Sequence, residues 1–183
     1  MATHEEIELG REIDTIVIPH GSTTRLPKGT RVRVLQQLGG SITVTTEYGG
    51  LYRVDPESLD ALGMEAPPVA SAPEGSADKP LEDQVWDVLR TCFDPEIPVN
   101  IVELGLVYDC RLGELDAAGK RAAAIQMTLT APGCGMGDVL AQDIQKRLEK
   151  LTQIASAKVE VVFDPPWNQS MMSEAARPQL GFY

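Results

Sequence analysis

Histidine and cysteine are scarce in this 183-residue chain, which has two of the first and three of the second. So few soft ligands argue against a complete metal site held by one chain. Cys92, Cys110 and Cys134 are odd in number and widely spaced, which excludes a disulfide framework, and no Cys-x-x-Cys pair signals zinc. Both histidines, His4 and His20, lie near the start, and no serine sits in a nucleophile elbow, so no catalytic triad can be assembled from motifs. No apolar run approaches the roughly 20 residues that a membrane-spanning helix requires. Met1–Glu6 is acidic and lacks the basic and apolar regions of a signal peptide, which predicts a cytoplasmic protein. Basic residues are also short: 16 Lys and Arg stand against 27 Asp and Glu, a net charge of −11. That balance repels phosphate backbones and anionic lipid, so neither nucleic acid nor membrane is an expected partner. It favours solubility and basic protein partners.

What is present is ordinary globular composition, 43% hydrophobic and 23% charged, enough for one medium or two small domains. The composition breaks at residues 64–79, where prolines alternate with Ala, Ser and Gly in a semi-stiff linker. Residues 1–63 read as short strands: Thr15–Ile18, Thr30–Leu35, Ser41–Thr45 and Leu51–Val54, divided by Gly39-Gly40 and Gly49-Gly50. Such spacing predicts a small antiparallel, SH3-like β domain. Asp55-Pro56 then starts a short helix, with Asp55 as its cap. Arg25, Lys28, Arg31 and Arg33 give this domain a basic edge, whose simplest reading is solvated strand faces.

Residues 80–183 alternate helix and strand. Leu81, Val85, Val88, Leu89 and Cys92 recur at helical spacing over Pro80–Cys92, and Leu140, Ile144, Leu148 and Leu151 do so over Asp138–Leu151. Leu106–Leu112, Ala122–Thr130 and Lys158–Phe163 alternate as strands, with Val159, Val161 and Phe163 on one face. The expected class is α+β: the small β domain, then a compact sandwich of two main helices on a three-stranded sheet.

The stretch richest in chemistry runs from Thr130 through Gly133-Cys134-Gly135 to Asp138, between a strand and a helix. Closely spaced glycines let the backbone approach a ligand, and a thiol at a helix start gains from free N–H groups and the helix dipole. Its pKa falls, which makes a better nucleophile or metal ligand. The bland alternative is a small residue filling a tight loop. Cys92 falls on an apolar helix stripe, where a small buried hydrophobe is the default, and Cys110 lies in a strand. Asp94 and Glu96 flank Pro95 in a loop that two prolines make rigid. They are placed to bind a cation, support Cys134 or contact a partner; alternatively Asp94 only caps a turn. Trp167, after Pro165-Pro166, belongs to a tail that either covers its own core or serves as a lid or docking surface. Gly133–Gly137 departs from any dinucleotide or Walker loop, so no nucleotide or flavin is expected.

Asp94-Pro95-Glu96-Ile97-Pro98, Glu103–Tyr108, Thr128–Cys134, Asp164–Trp167 and Met171–Arg177 occur in this order. Together they resemble the iron–sulfur cluster assembly family that contains SufT, the phenylacetate-pathway protein PaaD and the eukaryotic cytosolic assembly adaptor. The resemblance spans about the last hundred residues, and Pro19–Ser22 with the strands after it resembles the extension of the bacterial SufT type. It implies a compact α+β domain that helps deliver or insert clusters into client proteins, and the first reading is a non-enzymatic maturation factor that binds the assembly machinery and apo-clients. It also implies that Cys134, which matches the family's reactive cysteine, and the Asp94/Glu96 loop form the functional surface; in the first reading Cys134 is a transient ligand of the cluster. Relatives commonly place proline after this cysteine, where this chain has Gly135. One cysteine cannot complete a cluster site, so the other ligands would come from a homodimer partner, another protein or a small thiol. A thiol enzyme with Cys134 as nucleophile and a pure interaction adaptor are the alternatives.

Overall fold

Alternating β-branched residues and closely spaced turns dominate the first third of the chain, and they set its architecture. A computed structural model describes residues 6–65, 78–94, 97–131 and 135–181. The chain divides into two compact units, Met1–Val69 and Ala70–Tyr183.

Six strands form the sheet of the first unit: β1 Glu6–Glu8, β2 Ile13–Ile18, β3 Thr23–Leu26, β4 Arg31–Leu38, β5 Ser41–Thr46 and β6 Gly49–Val54. Their order is β1-β4-β5-β6-β2-β3, antiparallel throughout. Val32, Ile42, Val44 and Val54 are buried with Leu59 and Leu62 of a 3₁₀ turn, Pro56–Leu62. Asp55 does not cap that turn through its side chain, contrary to expectation. Its carboxylate lies 3.1 Å from Nε of Arg53, a buried guanidinium that needs a charged partner more than the turn needs a cap. The short strands β1 and β3 were not legible, because runs of three and four residues are too short to set a pattern. The basic edge is partly neutralised: Arg25 pairs with Asp14 at 3.0 Å and Glu12 at 3.3 Å, and Arg31 with Glu47 at 2.7 Å. The linker expected at 64–79 falls mostly outside the described residues.

The second unit contains α1 Leu81–Leu89, β7 Val107–Leu115, β8 Arg121–Met127, α2 Met136–Leu148 and β9 Ile154–Val161. The sheet order is β7-β8-β9; β7 and β8 run antiparallel, while β8 and β9 run parallel with α2 as the crossover. Both helices bury their apolar stripes on one sheet face. Val85, Leu89, Leu140, Ile144 and Leu148 pack with Ala123, Ile125 and Met127, all at 2% exposure or less. Each large side chain so buried contributes roughly 1.5–3 kcal/mol. Phe163 was expected to end the strand on one face with Val159 and Val161. It instead follows the end of β9 and is 47% exposed, because Asp164-Pro165 turns the chain away. No described helix is long and apolar enough to cross a membrane.

Candidate functional site

Parallel pairing of β8 and β9 brings the C-terminal ends of both strands to the same edge of the sheet, where α2 begins. Ligand sites of open α/β sheets form at such edges. Met127 ends β8, Leu129 is buried, and Thr130 and exposed Ala131 lead towards the loop. Gly133 and Cys134 lie outside the described residues. The chain resumes at exposed Gly135, the N-cap of α2, whose φ of −62° any residue can adopt. Among the described residues no side chain caps this helix start, whose first-turn N–H groups have no partner within the helix itself. Gly137 is present for packing: a Cβ there would lie 2.6 Å from Cδ1 of Leu129, so only glycine lets the helix start approach the strand end this closely.

A chain of backbone hydrogen bonds ties the other motifs to this edge. Leu106 O accepts from Thr128 N at 2.8 Å, Ile101 O from Leu106 N at 3.0 Å, and Cys92 O from Ile101 N at 3.0 Å. Asp94, two residues beyond Cys92, is 8% exposed, and its carbonyl accepts from Ile97 N at 3.3 Å. Glu96 lies outside the described residues. Among the described residues the Thr128 hydroxyl is buried and has no hydrogen-bond partner.

The remaining motifs hold one another. Asn100 Oδ1 accepts from the N–H groups of Val102 and Glu103 at 3.1 and 2.9 Å, fixing a turn that runs to Gly105. The C-terminal tail docks on that turn. Trp167 Nε1 donates to Leu104 O at 2.8 Å, Ser173 N to Glu103 O at 2.9 Å, and the Tyr108 hydroxyl to Pro165 O at 2.8 Å. Gly105 has φ +70°, and a Cβ on it would overlap the Met171 carbonyl, whose carbon would be 2.7 Å away. Beyond Trp167, Met172 and Ala176 enter the core at 3% and 0% exposure. Asn100, Gly105 and Tyr108 were missed as positioning residues. The Asn followed by an acidic and glycine-containing turn was the available signal for the first two.

The other thiols are unsuited to reaction. Cys92 is fully buried, with Sγ 3.5 Å from Val88 O. The Cys110 thiol is pushed up to about 11, by burial first and then by Glu82 and Asp109 nearby. Among the described residues, no three His, Cys, Asp or Glu side chains gather as a metal site.

Comparison with known proteins places this arrangement among relatives. A family described as iron–sulfur cluster assembly protein matches residues 82–161. The Fe-S protein maturation auxiliary factor of Porphyromonas gingivalis is 39% identical over 101 residues, 55% of this chain and 91% of that protein. The Bacillus subtilis factor of the same description, YitW, is 36% identical over 101 residues, 55% of this chain and 94% of that one. The Staphylococcus aureus factor SufT is 35% identical over 89 residues, 49% of this chain and 96% of that one. Among solved structures, a domain of unknown function from Bacillus anthracis superposes with a TM-score of 0.50 at 36% identity. It covers 56% of this chain and 93% of that domain.

Proposed function

The chain belongs to the family of iron–sulfur cluster assembly proteins, and on that premise we propose that it is a maturation factor that helps deliver clusters to client proteins. The cluster is cargo, and Cys134 is its transient ligand or reactive thiolate. The observation that carries this reading is positional. Cys134 directly precedes in sequence Gly135, the N-cap of a 13-residue helix that no described side chain caps, and that helix starts at the edge where β8 and β9 both end. Helix N–H groups and the macrodipole favour a thiolate at such a place. Asp94, Glu96 and Thr130 would support the loop, and Gly133 and Gly135 would give it room.

The role is not enzymatic in this reading. A thiol-enzyme alternative finds no histidine within the second unit's own sequence, since His4 and His20 both precede it. The remaining ligands come from outside the chain: from a second copy in a bridged homodimer, from assembly machinery or apo-clients, or from a small thiol. Residues 1–63 form an SH3-like domain joined by 64–79 to the assembly domain of 80–183, and the flank of the tail around Trp167 serves docking. The compartment is the cytoplasm.

Complementation tests the thiol. In cells lacking this gene, the Cys134→Ala variant is expected to fold normally but to leave iron–sulfur enzymes under-matured. Full restoration of their activities would leave only an adaptor role. Anaerobic reconstitution with iron counting and visible spectroscopy reads the cargo directly. A strict monomer binding iron stoichiometrically would overturn the bridged dimer.

A further inference from the structure

Among the described residues the three-stranded sheet has α-helices on one face only, and the other face carries an ordered charge pattern. Residues opposite each other across strands share a face. Asp109, Gln126 and Glu160 form one cross-strand row, and Arg111, Ala124 and Lys158 form the next. Gln126, Glu160, Arg111, Ala124 and Lys158 are all exposed. The face therefore presents an anionic row beside a cationic row, about 7 Å apart, with a small-residue floor at Ala124.

The anionic row opens into a cleft of about 510 Å³ where the tail crosses the sheet. Tyr108, Asp109, Gln126, Asp164, Pro165 and Met171 line it, and none of its lining residues is cationic. Tyr108 is the extra residue of a β-bulge between Val107 and Asp109, and its hydroxyl, held by Pro165 O, fixes the tail as one wall. Bulges are often placed where a side chain must be re-aimed. Asp109 is presently 2.6 Å from Arg111 on its own strand, in a pair whose arginine is 80% exposed. An exposed pair of this kind is worth little and exchanges readily.

We propose that this face docks an extended segment of a partner protein that carries a basic side chain and, two residues along, an acidic one. The basic group enters the cleft between Asp109 and Asp164, with its aliphatic stem against Pro165 and Met171. The acidic group, two residues along an extended chain, reaches Arg111 and Lys158. One internal pair is thereby exchanged for two intermolecular ones. A segment with two basic residues at this spacing would meet the cationic row and be rejected. The inference rests on the sheet face and not on the chemistry of Cys134.

The test is an NMR titration of the full chain with three synthetic peptides differing only at two positions: Arg-Ala-Glu, Arg-Ala-Arg and Ala-Ala-Ala in a Gly/Ser frame. Arg-Ala-Glu is expected to shift the amides of Asp109, Ala124 and Gln126 and to weaken as salt rises. Glu160→Gln and Asp164→Asn, both at exposed positions, should each weaken binding about two- to fivefold with the thermal midpoint unchanged. Equal binding of the Arg-Ala-Arg or Ala-Ala-Ala peptide would overturn the charge pairing. The docking site is also overturned if those amides ignore all three peptides. A shift with protein concentration alone, with dimers in sedimentation, would assign the face to a second copy and overturn it too.

Discussion

Replacing Gly105 by alanine tests how the tail is held. Two costs follow from the geometry. At φ +70° an L side chain is strained by about 1–2 kcal/mol. The new Cβ also overlaps the Met171 carbonyl, so the tail backbone must retreat. Retreat breaks the Trp167–Leu104 and Ser173–Glu103 hydrogen bonds, each worth about 1 kcal/mol net. The sum is about 3–4 kcal/mol, a large share of the roughly 5–15 kcal/mol that holds a domain together. Urea denaturation should show the midpoint falling by more than about 1 M for a slope of 1–3 kcal/mol per M. In a Trp86→Phe background, Trp167 emission should shift to the red as its ring leaves the core edge. The obstacle is backbone, so adding Met171→Ala should not rescue the variant. A midpoint change below about 0.3 M with unaltered emission would refute the argument.

Three further outcomes are expected. Asn100→Ala removes the acceptor of two turn N–H groups and should cost about 1 kcal/mol in urea unfolding, while Asn100→Asp should cost much less. Gly135 sits at φ −62°, within the range of proline, so Gly135→Pro should raise the stability by about 0.4–1 kcal/mol; a loss would show that the loop before it requires a conformation proline forbids. Cys110, with its thiol pushed up to about 11, should resist iodoacetamide at pH 8 and gain reactivity as the pH climbs towards that value. Stability moves the opposite way: the unfolded thiol ionises first, so the contribution of Cys110 burial is full below about pH 9 and is lost as the pH rises to about 11. Mass spectrometry against pH checks the reactivity, and equal labelling of Cys110 and Cys134 at pH 8 would contradict it.

Much of the fold was legible because its periodicities are local. The stripes of α1 and α2 and the alternation in β4, β5 and β8 come from burying one face of each element. Boundaries were displaced where packing overrode pattern. Helix α2 starts at Met136, earlier than Asp138, because Gly137 packs against Leu129 inside the first turn. Strand β9 starts at Ile154, within Ile-Ala-Ser-Ala, whose small residues are weak strand formers and become strand by pairing with β8. Of the candidate site, the sequence carried the position of Cys134 before a helix. The docking of the tail was hidden, because Trp167 and Leu104 are 63 residues apart and nothing local marks their contact.

That contact changes what the shared motifs mean. Glu103–Tyr108, Asp164–Trp167 and Met171–Arg177 contributed to the resemblance as strongly as the cysteine loop did. In the structure, carbonyls of the first accept from Trp167 and Ser173, Gly105 makes room for Met171, and Tyr108 holds Pro165. These motifs are explained by one another, as two halves of a clasp that closes the fold. A motif whose residues satisfy each other needs no ligand to account for it. The Asp94–Pro98 and Thr128–Cys134 segments are different. Backbone hydrogen bonds run from Thr128 through Leu106 and Ile101 to Cys92, Asp94 is buried, and among the described residues the buried Thr128 hydroxyl has no partner. A buried polar group left unsatisfied costs about 1–3 kcal/mol, and the fold carries that cost beside the loop that leads to Cys134. The clasp therefore accounts for its own motifs, and the proposed chemistry rests on the other two.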